Sequence, residues 1–366
     1  MRSFFTFIQL AVTCIIMAQS VMAQSSNASK PSMLDDSDYT EYWEQYLYLS
    51  DGSLITSQFL VANFPWPVGN EHGVMLGTLV TPEGELYVIK NGRDRGEWGF
   101  NDNAFDIFIH THRLKQQNGG YSLHLENTMG IADMELASKF PSFDHNKYSS
   151  EDGSIQTSFY APFLSGRGNW HLGPEAGFNP SGPVHKVDQA SGFGVHVLMT
   201  DKVDQLMKNW TRVVGVSSQE EKPFLSAITR PDQKEDIIFK LLGNGEVIDE
   251  FDDINVKYER MTKEKDASYP KRITISAKGN NGEISGTINY GKKFNHFNLT
   301  DHLNFFEKSF AQSNPVVTNF RYLADYDLVY KTAEGEKRLT GKALSEFTDI
   351  QPPRKAPAKQ RRRNRR

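Results

Sequence analysis

Hydrophobic and polar positions alternate with a period of two over most of the chain from Tyr42 onward, in short runs separated by Gly, Asn, Asp and Pro clusters. A period of two puts successive side chains on opposite faces of an extended strand, so the pattern predicts antiparallel sheet. Such runs are Ser53 to Asn63, Val74 to Val80, Glu85 to Lys90, Phe105 to Leu114, Tyr121 to Met129, Gln156 to Ala161, Arg272 to Ala277, Glu283 to Tyr290 and Tyr322 to Lys331. The breaks carry turn chemistry: Asp51-Gly52, Pro82-Glu83-Gly84, Asn118-Gly119-Gly120, Asn281-Gly282 and Glu334-Gly335 supply positive φ or tight-turn geometry. An all-β meander is the expectation. The helical signal is confined to one piece, where Val203, Leu206, Met207, Trp210 and Val213 or Val214 would share a face after Asp201.

Residues 165–194 contain ten glycines and prolines that matter here, from Gly166 and Gly168 to Gly192 and Gly194, and show no period. They read as an inter-domain connection or lid. A chain of 366 residues suits two domains, so β domains are expected over 41–164 and 195–351, after a Ser, Asp and Asn rich linker at 24–40.

Composition narrows the class. With 38% hydrophobic, 12% aromatic and 23% charged residues, a disordered polyampholyte, a collagen-like fibre and a multi-span membrane protein are excluded. Residues 1–23 read as a secretory signal peptide: Arg2, an apolar stretch from Phe4 to Met17 that is too short to span a bilayer, then Val21-Met22-Ala23 before the expected cleavage. A periplasmic or secreted location follows. Cys14, the single cysteine, lies inside that segment, so disulfides and cysteine nucleophiles are not expected after cleavage.

Charge is uneven. Every Asp and Glu falls between Asp35 and Asp349, whereas the last fifteen residues, 352–366, hold eight Lys or Arg and no acid. That tail cannot bury apolar area and is expected to be disordered. Its readings are a solubility tail, a fold-back onto the acidic body, or a contact with an anionic surface or glycan. Nucleic acid is not expected as a partner of an exported chain with an acidic body.

Near the C-terminus, Phe320-Arg321-Tyr322-Leu323-Ala324-Asp325-Tyr326-Asp327-Leu328-Val329-Tyr330 leads through Glu334-Gly335 to Gly341-Lys342-Ala343-Leu344-Ser345-Glu346-Phe347-Thr348. This resembles the closing hairpin of the tandem lipocalin-like superfamily, which includes AttH-like proteins, carotenoid hydratases, survival-factor proteins and some fungal Diels–Alderases. Tyr42-Trp43 to Phe59, and Phe105 to Glu126, look like the first barrel of that group. The resemblance implies two calycin-type antiparallel barrels in tandem, an apolar cavity in or between them, and a hydrophobic ligand such as an isoprenoid or lipid.

Acid chemistry on such a ligand needs a carboxylic acid of raised pKa in an apolar pocket, with aromatic faces beside developing positive charge. Asp325 and Glu346 stand among Tyr322, Tyr326, Tyr330 and Phe347, and Glu97 flanks Trp98, which makes Asp325, Glu346 and Glu97 the candidate acids. Trp66, Trp98, Tyr322 and Tyr326 are candidate ligand-binding rings, although core packing is the commoner fate of such residues. A different chemistry would follow if Phe105 to Met129 formed one hairpin in even register. His110, His112 and His124 would then share a face with Asp106 and Glu126 and could hold zinc or another divalent metal. The competing reading is a polar strand face left in water. No Gly-x-Ser-x-Gly elbow, His-Glu-x-x-His, phosphate loop or dinucleotide fingerprint occurs.

The reading that results is an exported lipocalin-like protein that binds a hydrophobic small molecule and acts as a hydratase, cyclase or isomerase, with no cofactor expected. A non-catalytic lipid carrier and a metal-dependent carbohydrate enzyme stand as alternatives.

Overall fold

The computed structural model describes residues 31–64, 69–93, 96–101, 104–149, 153–177, 183–264, 267–298 and 315–353. The signal segment, Trp66 and the basic tail from residue 354 lie outside them. Among the described residues no helix is long and apolar enough to cross a membrane.

The first sheet has 12 antiparallel strands: β1 (Thr40–Leu49), β2 (Leu54–Phe64), β3 (Gly69–Val80), β4 (Leu86–Arg93), β5 (Trp98–Phe100), β6 (Asp106–Ile109), β7 (His112–Gln117), β8 (Gly120–Asn127), β9 (Gly130–Ser138), β10 (Phe143–Ser149), β11 (Ser154–Leu172) and β12 (His185–Met199). The order across it is β4-β3-β2-β1-β12-β11-β9-β8-β7-β6-β5, with β10 added to β11. It curls until Trp98 of β5 packs on Gly73 of β3.

After a single turn of helix, α1 (Val203–Leu206), come β13 (Asn209–Gly215), β14 (Lys222–Thr229), β15 (Glu235–Gly243), β16 (Glu246–Phe251) and β17 (Asn255–Glu259). The short β18 (Thr262–Glu264) and β19 (Ala267–Tyr269) pair with each other, and β20 (Arg272–Lys278), β21 (Gly282–Asn298), β22 (Val316–Thr332) and β23 (Gly335–Gln351) complete the chain. The second sheet is nine-stranded, in the order β16-β15-β14-β13-β23-β22-β21-β20-β17. A bridge between Phe251 and Gly279 joins β16 to the end of β20, so this sheet also closes toward a barrel. Two curled antiparallel sheets in tandem are the architecture expected of a lipocalin-like pair.

The turn chemistry works as expected: Gly52, Gly84, Gly119 and Gly335 all adopt positive φ between paired strands. The expected connection does not. Residues 165–194 are largely the paired strands β11 and β12, and the chain passes between sheets at 200–208 instead. Its glycines are sites of close approach: a Cβ on Gly166, Gly168 or Gly192 would overlap the carbonyl oxygen of Glu135, Asp133 or Tyr46 on the neighbouring strand. Register shifts between Ser158 and Gly168 add bulges that bend β11 around the barrel. The amphipathic helix after Asp201 is also cut short, because Trp210, Val213 and Val214 belong to β13, which is buried on both faces. With both faces buried, Trp210, Val213 and Val214 lose the alternation by which periodicity separates a strand from a helix. The end of the linker is docked rather than loose, since Tyr39 is buried and Ser32 N–H donates to Glu41 Oε2 at 2.6 Å.

Strand β1 shows how the core divides. Trp43 and Leu47 point into the first barrel, and Tyr42 and Tyr46 point into a cluster shared with Trp210, Val214, Phe224 and Leu344 of the second sheet. A third cluster, around Phe239, Tyr290, Phe320 and Tyr322, fills the second barrel. Gly192→Ala is expected to lower stability by about 2 kcal/mol or more, because β1 must move away from β12. An unchanged urea midpoint would show that the two strands have slack.

Candidate active site

Three neighbouring strands of the second sheet bring a row of charges to the face that meets the first. Arg212 on β13 lies directly across from Glu346 on β23, and Glu346 lies across from Arg321 on β22. Arg212 is 2% exposed. Its Nε donates to Glu346 Oε1, and its NH2 reaches over the interface to Glu44 Oε2 of β1 at 2.8 Å. The guanidinium carbon sits 4.2 Å from the Trp210 ring centre and 5.2 Å from that of Tyr46, so aromatic faces help to offset lost hydration. Asn319 Nδ2 donates to the other Glu346 oxygen at 2.9 Å and to the Tyr46 hydroxyl at 3.1 Å.

A cavity of about 210 Å³ opens beside this row, between the sheets. Glu44, Asn319 and Arg321 form its polar wall with Thr56 and Thr78, and Leu60, Leu76, Met199, Phe297 and Val317 form the apolar one. Among the described residues Glu44 Oε1 has no hydrogen-bond partner. Burial pushes the Glu44 carboxyl above the ordinary carboxylate range; Arg212 pulls it down and Glu346 pushes it up again. A carboxyl group pushed toward its neutral form beside an apolar chamber can give a proton to a guest and take one back. The barrel interiors are packed instead. Phe105, Tyr121 and Tyr160 meet at 5.2 to 5.8 Å in the first, and Tyr290 stacks on Tyr322 at 4.6 Å in the second.

Of the candidate acids, Glu346 belongs to this cluster, fully buried, as the partner of Arg212 rather than as a free acid. Asp325 does not: it is exposed and paired with Lys342 at 2.5 Å. Glu97 is equally exposed, 3.8 Å from Arg93. Asp325 sits on the outward side of β22, where alternation sends a carboxylate to water, and Glu97 lies in the bend just before β5. Trp98 is core, its Nε1 donating to the Glu71 carbonyl at 2.8 Å. Tyr322 and Tyr326 face into the second barrel and do not line the cavity; Trp43 and Trp170 are likewise core, stacked on His196 and His185.

The three histidines do not converge. The run Phe105 to Leu114 is broken at His110-Thr111 into β6 and β7, with His110 at φ 55° in the turn. The register then pairs Arg113 with His124, so His112 falls on the opposite face. His112 is fully buried and its Nδ1 accepts the Glu126 N–H at 3.1 Å. His124 faces outward to Asp133 and Glu126 at 2.6 and 3.2 Å. Among the described residues no group of three His, Cys, Asp or Glu is arranged to hold a metal ion. A one-residue change in a turn moves every following side chain to the other face, and no glycine marked this turn.

Glu44, Arg212, Asn319 and Arg321 were not singled out by sequence reasoning. The available signal was an ionisable residue inside an apolar run: Glu44 among Tyr42, Trp43 and Tyr46, and Arg212 among Trp210, Val213 and Val214.

No protein-family model matches the chain, and no curated protein does. Its fold is that of several solved structures. An AttH-like protein from Nitrosomonas europaea is 12% identical with a TM-score of 0.53, covering 87% of this chain and 93% of that one. CghA, solved with Sch210972, is 7% identical with a TM-score of 0.60, covering 89% and 95%. Kievitone hydratase from Nectria haematococca is 11% identical with a TM-score of 0.53, covering 88% and 91%. The chain thus has the tandem lipocalin-like fold of this group.

Removing Arg212 would leave the Glu346 carboxylate and the Glu44 carboxyl buried without the cation they share. Arg212→Met is expected to cost about 3–5 kcal/mol, with part recovered when Glu346→Gln is added; equal urea midpoints for wild type and Arg212→Met would show the pair to be dispensable. Burial also holds the His112 imidazole at about 4 against an ordinary 6.5. The unfolded chain therefore takes up a proton below 6.5 that the folded chain resists, so this stabilisation is whole above pH 6.5 and is lost as pH falls toward 4. His112→Gln is expected to flatten the acid decline in that window by on the order of 3 kcal/mol, and an unchanged slope would place the decline elsewhere.

Proposed function

We propose that the protein is an exported binder of a hydrophobic small molecule, of isoprenoid or lipid type, that it holds this guest between its two barrels, and that it acts on it as a cofactor-independent hydratase, cyclase or isomerase. The observation that carries the reading is Glu44: a buried carboxylic acid of raised pKa with an open oxygen, at the wall of a largely apolar cavity. In this reading Glu44 gives its proton to an alkene or carbonyl of the guest, and Arg212 steadies the carboxylate that remains. Return of a proton from the guest's cation to Glu44 completes an isomerisation or a cyclisation; addition of water to that cation, with one of the water's protons passed back to Glu44, completes a hydration. No electrons change hands, so the chemistry calls for no redox group. The fold shared with a protein whose name is a hydratase supports this class of reaction, and the apolar segment before Ala23 supports export.

Native mass spectrometry after gentle extraction is expected to show a co-purifying apolar molecule. That molecule, returned to the protein in deuterium oxide, is expected to gain carbon-bound deuterium, and Glu44→Gln is expected to slow the gain about a hundredfold while retaining the ligand. Equal deuterium uptake by both proteins would remove Glu44 as the acid. Retention without any uptake would make the protein a carrier.

A further inference from the structure

Arg321 is a cation that acid catalysis by Glu44 leaves unused. It is 5% exposed and lines the cavity. Glu346 stands opposite it on β23, yet that carboxylate is engaged by Arg212 and Asn319. Among the described residues Arg321 has no carboxylate partner. Its NH1 donates to Thr78 Oγ1 at 2.8 Å, its guanidinium carbon lies 5.3 Å from the ring centres of both Tyr46 and Phe297, and its buried Nε makes no hydrogen bond. Ring faces and one hydroxyl offset only part of the lost hydration of a guanidinium.

A planar fork left open at a cavity wall matches a carboxylate, whose two oxygens accept its parallel N–H groups. We infer that the ligand of this cavity carries a carboxylate, seated on Arg321, with an apolar body running along Leu60, Leu76, Met199 and Val317. The inference rests on the reading of this cavity as the ligand site. Glu44, the carboxyl of the cavity wall, is pushed toward its neutral form by burial against the pull of Arg212 and Arg321, and in that form it meets an incoming anion as a donor rather than as a like charge. At about 210 Å³ the space is smaller than the roughly 300–1,000 Å³ of drug-sized sites, which favours a medium chain length.

The test is calorimetric titration of the full-length protein at pH 7 with octanoate and with 1-octanol, which share a tail and differ in the head. Octanoate is expected to bind at least about tenfold more tightly. Arg321→Met is expected to abolish that preference with octanol affinity held within about twofold, and Arg321→Lys to keep part of it. Equal affinities in the wild type would overturn the carboxylate assignment and leave an apolar cavity standing. Absence of binding by either molecule would overturn the cavity as the ligand site as well. An octanoate preference that survives in Arg321→Met would place the anion elsewhere and overturn the role of Arg321. Should Arg321→Met fail to fold, the wild-type comparison and Arg321→Lys decide.

Discussion

One guanidinium joins the two halves of this protein. Arg212 belongs to the second sheet by sequence and by its pairing with Glu346, but it also donates to Glu44 of the first. Taking a charge out of water costs several kcal/mol, and the loss is recovered only when the geometry is good and the remaining polar atoms are bonded. Arg212 meets that condition in part, with two carboxylates and three aromatic rings around it, although its NH1 stays without a partner. The cost makes the arrangement specific. If the sheets slid past each other by one residue, Arg212 would keep Glu346 but Glu44 would be left buried without its partner.

The cavity follows from the same constraint. Aromatic side chains fill both barrels, so the interiors have no need of a guest; the space lies where two curved sheets meet and polar residues prevent close packing. At that seam Glu346 is already shared between Arg212 and Asn319, which leaves Glu44 and Arg321 with capacity to spare. An acid and a cation with bonding positions to spare therefore stand beside aliphatic walls. The fold is common to solved proteins at 7 to 12% identity, and a shared fold does not by itself set the chemistry of a site.

Sequence patterning succeeded where one face of a strand met water. Along β20, Ile273, Ile275 and Ala277 are buried while Ser276 and Lys278 are exposed, and the turns that flank such strands were legible from their glycines. It failed where both faces are covered. Strands β1 and β13 and the part of β12 from Ala190 onward lie between a barrel interior and the seam, so their side chains are buried on both sides and lose the period of two. Glycines in β11 and β12 mimicked loop chemistry because they sit under neighbouring carbonyls. The His110 turn escaped notice for the opposite reason, having left-handed backbone without a glycine, and that single error moved His112 from a presumed metal face into the core.

The amino-acid sequence by itself determined that this chain is all-β and where most of its hairpins turn, because alternation and turn chemistry are local properties; the pair of curled sheets is what the family resemblance of its C-terminal hairpin implied. It also marked Glu346 as a carboxylate out of place among aromatic residues. Only tertiary structure decided what surrounds that carboxylate. Glu44, Arg212 and Arg321 are separated by more than 100 residues at each step, so no local rule links them. Their meeting depends on how two curled sheets dock, and burial at the seam, which no single strand contains, is what pushes Glu44 toward its neutral form and leaves nitrogens of Arg212 and Arg321 without partners.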